Sequence, residues 1–159
     1  MNLLLGVGNA LLADDGIGCL VADRLHHPEW TAFIAGTVPE NFTRKVREIQ
    51  PVLLVIIDAA MMDLPPGSIR RVPLDRVADV GVGTHQLPLD AFCSIIASSC
   101  GSIMIIGIQP GIVGVGDEMS DAVLKAGDEL LDLIQTGSLS SIREFGSEAR
   151  ICKNNKGER

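Results

Sequence analysis

The chain alternates short apolar runs with amphipathic stretches. Asn2–Val7 is an apolar run ending in glycine, and reads as a first strand. Over residues 15–27, Ile17, Leu20, Val21 and Leu25 fall on one helical face; Asp14 or Asp15 stands at the N-cap and Pro28 follows the end. Residues 31–35 read as a second strand. Residues 39–50 carry Phe42, Val46 and Ile49 at helical spacing, with Asn41 at the start as a candidate cap and Pro51 as the stop. Residues 52–57 form a continuous apolar run rich in β-branched side chains, as a strand buried on both faces requires. Pro65-Pro66-Gly67 is a turn, and residues 68–72 form a more polar strand at an edge guarded by Arg70 and Arg71. Leu89, Phe92, Ile95 and Ile96 mark a helix over residues 88–99. Ser102–Ile108 is another buried strand, and residues 117–135 predict a long amphipathic helix that starts near Ser120.

Strands alternating with helices predict an α/β protein. Its expected form is a three-layer α/β/α sandwich around a twisted, mostly parallel central sheet of about five strands. Residues 1–136 form a single α/β domain in this reading. Residues 137–159 turn Ser-rich and then charged, and are expected to form a partly disordered tail.

Composition narrows the function classes. A length of 159 residues suits one hydrophobic core. With 47% hydrophobic and 21% charged residues, the chain is too apolar to be disordered. It has 13 basic and 20 acidic residues, net −7, and no basic patch, which excludes nucleic acid as a partner. The N-terminus has no basic segment of a signal peptide, and the run over 52–57 ends at Asp58, far short of the ~20 residues that span a bilayer. A cytoplasmic protein that engages no membrane is expected. Cys19, Cys93, Cys100 and Cys152 form no C-x-x-C pair, so they read as buried free thiols in a reducing compartment.

In an open parallel sheet, ligands collect at the carboxyl ends of the strands. Gly6-Val7-Gly8-Asn9 and Asp14-Asp15-Gly16 follow the first strand, and Asp58 ends the central one. Thr84-His85-Gln86 precede a helix, and Gln109-Pro110-Gly111 follow the last strand. Asp15, Asp58 and His85 thus offer two carboxylates and an imidazole, a ligand set for Ni²⁺, Zn²⁺ or Fe²⁺ that leaves coordination positions open. The same set places a carboxylate base beside a Lewis acid. Taken singly, Asp15 reads as a helix cap, Asp58 as a loop anchor and His85 as a solvated side chain; their coincidence at one sheet edge favours a site. Gln109 and the glycine-rich segment 111–116 would shape the floor of such a cleft, although the glycines also serve a plain turn. Met61 and Met62 would stand at its mouth or pack in the core.

Three competing motifs fit poorly. A dinucleotide fingerprint needs a third glycine where Leu11 stands, so close approach of helix and strand is not provided for at that position. Asp14 and Asp15 also oppose a pyrophosphate. A phosphoacceptor receiver domain would carry a lysine where Gln109 precedes Pro110. A pepsin-like dyad lacks its D-T/S-G signature, since Gly16 follows Asp15 and Ala59 follows Asp58.

Five blocks together resemble the [NiFe]-hydrogenase maturation endopeptidases. They are Gly6-Val7-Gly8-Asn9 with Asp14-Asp15-Gly16-Ile17-Gly18; Gly36-Thr37-Val38-Pro39-Glu40-Asn41; Ile57-Asp58-Ala59-Ala60; Thr84-His85-Gln86-Leu87-Pro88-Leu89; and Gly107-Ile108-Gln109-Pro110. The second and last are most similar to the branch serving formate-hydrogenlyase and energy-converting hydrogenases. The resemblance implies an endopeptidase that removes the C-terminal extension of a hydrogenase large-subunit precursor after nickel insertion. It implies Asp15, Asp58 and His85 as the metal-contacting residues, with Asp15 and Asp58 catalytic and Asp14, Asn9 and Gln109 in support. Some relatives have Glu at the first position; Asp15 reaches one methylene less. No intrinsic cofactor is implied: the metal is the precursor's nickel, for which another divalent ion can stand in within crystals. A monomer that meets the precursor transiently is expected. A metal-assisted and an aspartic-type mechanism both use these carboxylates. The competing class is a non-enzymatic metal-sensing or receiver-like binding module.

Overall fold

The computed structural model describes residues 1–82 and 88–147. Six strands form the sheet: β1 (Asn2–Val7), β2 (Trp30–Gly36), β3 (Leu53–Met61), β4 (Ile69–Val72), β5 (Gly81–Val82) and β6 (Ser102–Ile108). Five of them run in the order β2-β1-β3-β6-β4, and β5 pairs with β3 off this path. The pairings β1–β2, β1–β3 and β3–β6 are parallel, whereas β4 and β5 add antiparallel. The mostly parallel sheet expected from the alternating pattern is therefore present, with β4 at an edge.

Period-two alternation divides the sheet's apolar side chains between two cores. Leu3, Leu5, Leu54 and Ile56 pack with Val46 of α2 (Thr43–Ile49) and with Phe92 and Ile96 of α3 (Leu89–Ile96). Leu4, Val55, Ile57 and Ile106 pack with Ile17 and Val21 of α1 (Ile17–Arg24) and with Val123, Leu130 and Ile134 of α4 (Asp121–Gln135). Helices thus cover both faces, giving three layers. Each predicted helix is present, and 3-10 turns take an end of three of them. Ala13–Gly16 precedes α1, Pro39–Phe42 precedes α2 and Ala97–Ser99 follows α3. Among the described residues, no helix is long and apolar enough to cross a membrane.

Residues 137–147, placed by the sequence pattern in the tail, pack on the body. Leu139 and Ile142 are buried beside α4. The Arg71 N–H donates to the Arg143 carbonyl and the Phe145 N–H to the Arg71 carbonyl, both at 2.8 Å. The Arg71 Nε donates to the Ile142 carbonyl at 2.9 Å. The edge of β4 offers unpaired backbone groups, and this segment satisfies them, so Arg71 guards the edge by anchoring chain as well as by its charge. Residues 148–159, with Cys152, lie outside the described residues.

The order β2-β1-β3 sets the position of the site. From β1 the chain crosses by α1 to β2 on one side, then by α2 to β3 on the other, and the two helices lie on opposite faces. This reversal opens a crevice at the carboxyl ends of β1 and β3, where open α/β sheets bind ligands.

Candidate active site

At the end of β1 the backbone bends sharply. Gly6 pairs with Ile34 but Val7 pairs with Gly36, so β2 carries one extra residue, a bulge. Gly8 follows with φ +136°, and its N–H donates to the Gly36 carbonyl at 2.9 Å. A Cβ on Gly8 would collide with the Asp15 carbonyl oxygen and lie 3.5 Å from Asp58 Oδ1. One bare backbone position therefore separates the turn that carries Asp15 from the side chain of Asp58.

Helix α1 sits unusually close to the sheet. A Cβ on Gly18 would strike the carbonyl oxygens of Ile57 and Val7, and one on Gly6 would strike the Gly18 oxygen. The pattern test that found Leu11 at the third glycine position is thus corrected. Close approach of helix and strand is provided for, by Gly6 and Gly18 rather than by a residue at position 11.

Asp14, Asp15 and Asp58 are 0%, 8% and 1% exposed. Asp15 Oδ2 accepts the Asn9 N–H at 2.8 Å, and Asn9 Oδ1 accepts the Leu11 N–H at 3.0 Å, closing an Asx turn. Asn9 thereby holds the loop to Asp15. Asp58 follows Ile57 on β3 and is paired in register with Gly107 of β6. Strand alternation puts it on the face covered by α2 and α3, while Asp15 enters from the α1 face. Beneath them lies the buried thiol of Cys19, which donates weakly to the Gly8 carbonyl at 3.4 Å. Burial pushes its pKa up, and the carboxylates of Asp58 and Asp15 push it further the same way, against a hydrogen bond from Gly36.

Asp14 does not cap α1, which has no side-chain N-cap bond, and neither does Asp15. Asp14 Oδ2 accepts the N–H groups of Gly111 and Ile112 and the Ser120 hydroxyl, each at 2.8 Å, and Oδ1 accepts the Ser120 N–H at 2.7 Å. Burial alone would raise its pKa. The hydrogen bonds from Ile112, Ser120 and Gly111 overcome that and hold the carboxyl below its ordinary 3.8. Asp14 is a strut that ties the first loop to the loop before α4.

Gln109 is likewise engaged internally. Its Oε1 accepts the Met62 N–H at 2.7 Å and, more weakly, the Leu64 N–H at 3.4 Å, and its Nε2 donates to the Pro110 carbonyl at 3.2 Å. It fixes the loop leaving β3 at Met62 and Leu64, four and six residues beyond Asp58. Of the two methionines, Met61 is exposed and Met62 buried in the core. Asn41 makes no side-chain cap bond; its N–H closes the turn onto the Val38 carbonyl at 3.0 Å.

His85 lies outside the described residues. Among the described residues, no group of three metal-ligating side chains comes together. A cavity of about 510 Å³ opens elsewhere, lined by Asn2, Trp30, Leu53 and Met104 near the amino ends of the strands, away from the carboxylates. Sequence reasoning missed Gly18 and Cys19 as parts of the site's foundation. The i, i+12 spacing of Gly6 and Gly18 across a strand and the helix after it was the available signal.

Comparison with known proteins fits this geometry. The family model of hydrogenase maturation proteases matches residues 19–136. The hydrogenase 3 maturation protease of Escherichia coli K12 is 35% identical over 129 residues, which cover 79% of this chain and 83% of that protein. The solution structure of the endopeptidase HycI from Escherichia coli superposes with a TM-score of 0.83 at 30% identity, covering 93% of this chain and 98% of that one. The crystal structure of a [NiFe] hydrogenase maturation protease HycI from Thermococcus kodakarensis gives a TM-score of 0.76 at 31% identity, covering 86% and 91%. An acidic crevice at the switch point of a doubly covered sheet, matched over most of the chain, places this protein in the hydrogenase maturation protease family, a family of endopeptidases.

Proposed function

We propose that Asp15 and Asp58, completed by His85, read the nickel of a [NiFe]-hydrogenase large-subunit precursor and cut the C-terminal extension beside it. The observation that carries this reading is a pair of buried aspartates at the crevice between β1 and β3, where Gly8 faces both the Asp15 backbone carbonyl and Asp58 Oδ1. Carboxylate oxygen and imidazole nitrogen suit a borderline divalent ion, and nickel already held by the precursor brings its own open positions. His85 belongs to the set on its residue type and its place in the block Thr84-His85-Gln86.

The precursor's nickel serves here as recognition mark and Lewis acid towards the scissile carbonyl. One carboxylate of the pair takes the proton of the attacking water and returns it to the leaving amine. Asn9 keeps Asp15 oriented through its backbone N–H. Precursor without nickel lacks the anchor and is spared. The enzyme acts as a cytoplasmic monomer, where its thiols stay reduced.

Mass spectrometry of the precursor from the same organism tests the reading, with and without nickel loaded. A discrete C-terminal loss is expected only with nickel. Asp58→Asn removes it while circular dichroism stays that of the parent. His85→Ala weakens the nickel dependence. Normal cleavage by Asp58→Asn, or equal cleavage without nickel, overturns the assignment.

A further inference from the structure

The two loops joined by Asp14 expose an unusual amount of apolar side chain. Leu11 is 74% exposed, Ile112 44%, Val113 56% and Val115 82%. These residues belong together in space. The Asp14 N–H donates to the Ile112 carbonyl at 3.0 Å, the Gly116 N–H donates to the Leu11 carbonyl at 3.4 Å, and the Asp14 carboxylate holds the Gly111 and Ile112 N–H groups. The patch adjoins the crevice, because Leu12, next to Leu11, accepts the Asp15 N–H through its carbonyl at 3.2 Å. Scattered single apolar residues on a surface need no explanation, but four on one pair of mutually bonded loops beside a site mark a binding surface.

The charge around the patch has one sign. Asp117, Glu118 and Asp121 follow Val115 and are exposed. No lysine or arginine occurs between Arg76 and Lys125, or before Arg24. Asp117 and Glu118 form no ion pair with the described residues. Apolar side chains would therefore seat here, and basic ones would be favoured beyond Val115.

We infer that Leu11, Ile112, Val113 and Val115 seat an extended segment of the precursor next to its scissile bond. That segment carries apolar side chains followed by basic ones, which meet Asp117 and Glu118. The inference rests on the reading of Asp15 and Asp58 as the cutting site, and it adds where the peptide lies and what chemistry it presents. Asp14 is then the positioning residue that holds the seat in register with Asp15.

Titrating nickel-loaded precursor onto the Asp58→Asn protein tests this, since binding is then read without cleavage. Adding Leu11→Ser, Val113→Ser and Val115→Ser is expected to weaken binding about tenfold or more, with the thermal midpoint held, as the side chains are exposed. In the otherwise native enzyme the same three changes raise KM. Asp117→Asn with Glu118→Gln is expected to flatten the salt dependence of binding. Val115→Lys serves as a second probe and weakens binding if the seat is apolar. Affinity within twofold of the parent for the triple variant and for Val115→Lys overturns the inference. The two readings fail separately: cleavage by Asp58→Asn refutes the catalytic assignment, whereas unchanged affinity of the rim variants refutes only the seat.

Discussion

Asp14→Ala is expected to be the most informative single change outside Asp15 and Asp58. It removes the acceptor of four hydrogen bonds of 2.7–2.8 Å, three from backbone N–H groups and one from a hydroxyl. Bonds to a charged acceptor contribute about 1.5–3 kcal/mol each, so the set is bounded near ~6–12 kcal/mol. Gly111 and Ile112 sit in an exposed loop, and water can replace part of what they lose. The net loss is therefore about 3–5 kcal/mol, a large share of the ~5–15 kcal/mol that stabilises a domain. At this chain length that lowers the thermal midpoint by roughly 6–20 °C. Hydrogen exchange should quicken first at the amides of Gly111, Ile112 and Ser120. The effect depends on pH with a defined sign. The folded carboxyl sits below its ordinary 3.8, so the unfolded chain binds the proton more tightly. The contribution is complete above 3.8 and is lost as pH falls through the folded value. Denaturant titrations at pH 7 and in the acid range should show the gap between Asp14→Asn and the parent closing as pH falls. A loss under about 1 kcal/mol at pH 7, with unchanged exchange at the three amides, would refute the strut.

Three further outcomes follow from the packing. Gly18→Ala forces a methyl into the Ile57 and Val7 carbonyl oxygens, so α1 must leave the sheet; a loss above about 3 kcal/mol or insoluble expression is expected, and near-native stability by denaturant titration would contradict the close approach. Burial, with smaller pushes from Cys100 and Asp90, lifts the Cys93 thiol to about 12, so iodoacetamide at pH 8 should leave it unlabelled in native protein and label it after unfolding, as read by peptide mass spectrometry. Gln50 ends α2 at φ +48° on the surface, where glycine has no steric penalty, so Gln50→Gly should raise stability by about 0.5–1 kcal/mol in the same titration.

What was legible in the sequence is what local periodicity encodes. The apolar run over 52–57 identified β3, and the abrupt stop at Asp58 marked a polar group at the carboxyl end of a buried strand. Ser102–Ile108 and the helix ending at Gln135 have the predicted bounds because their patterns are strong and their ends are marked by glycine, proline and serine. The alternation of elements gave the layers. What was illegible depends on pairs far apart in the chain. The partners of Asp14 lie 97 to 106 residues away, and no local pattern announces them. The docking of residues 137–147 follows from an open edge on β4, a property of the sheet order rather than of the segment's own Ser-rich composition.

The adjacent aspartates make the point most sharply. In sequence Asp14 and Asp15 look alike as caps for α1, and only the family resemblance assigns Asp15 to the metal and Asp14 to support. The Ala13–Gly16 segment separates them because it is a 3-10 turn, entered through Ala13 at φ +52°. With about three residues per turn, successive side chains diverge by about 120°. One carboxylate is thereby sent to the loop before α4 and the other to the loop after β1, where the Asn9 N–H holds it. The division of labour also explains why two acidic residues are tolerated side by side in a buried turn. The Asp14 carboxylate is satisfied by four donors, and so in the proposed function only Asp15 and Asp58 are left to meet a cation. Exchanging the strut for a neutral residue would therefore disturb the loop and the orientation of Asp15 while leaving the Asp15 and Asp58 carboxylates in the chain.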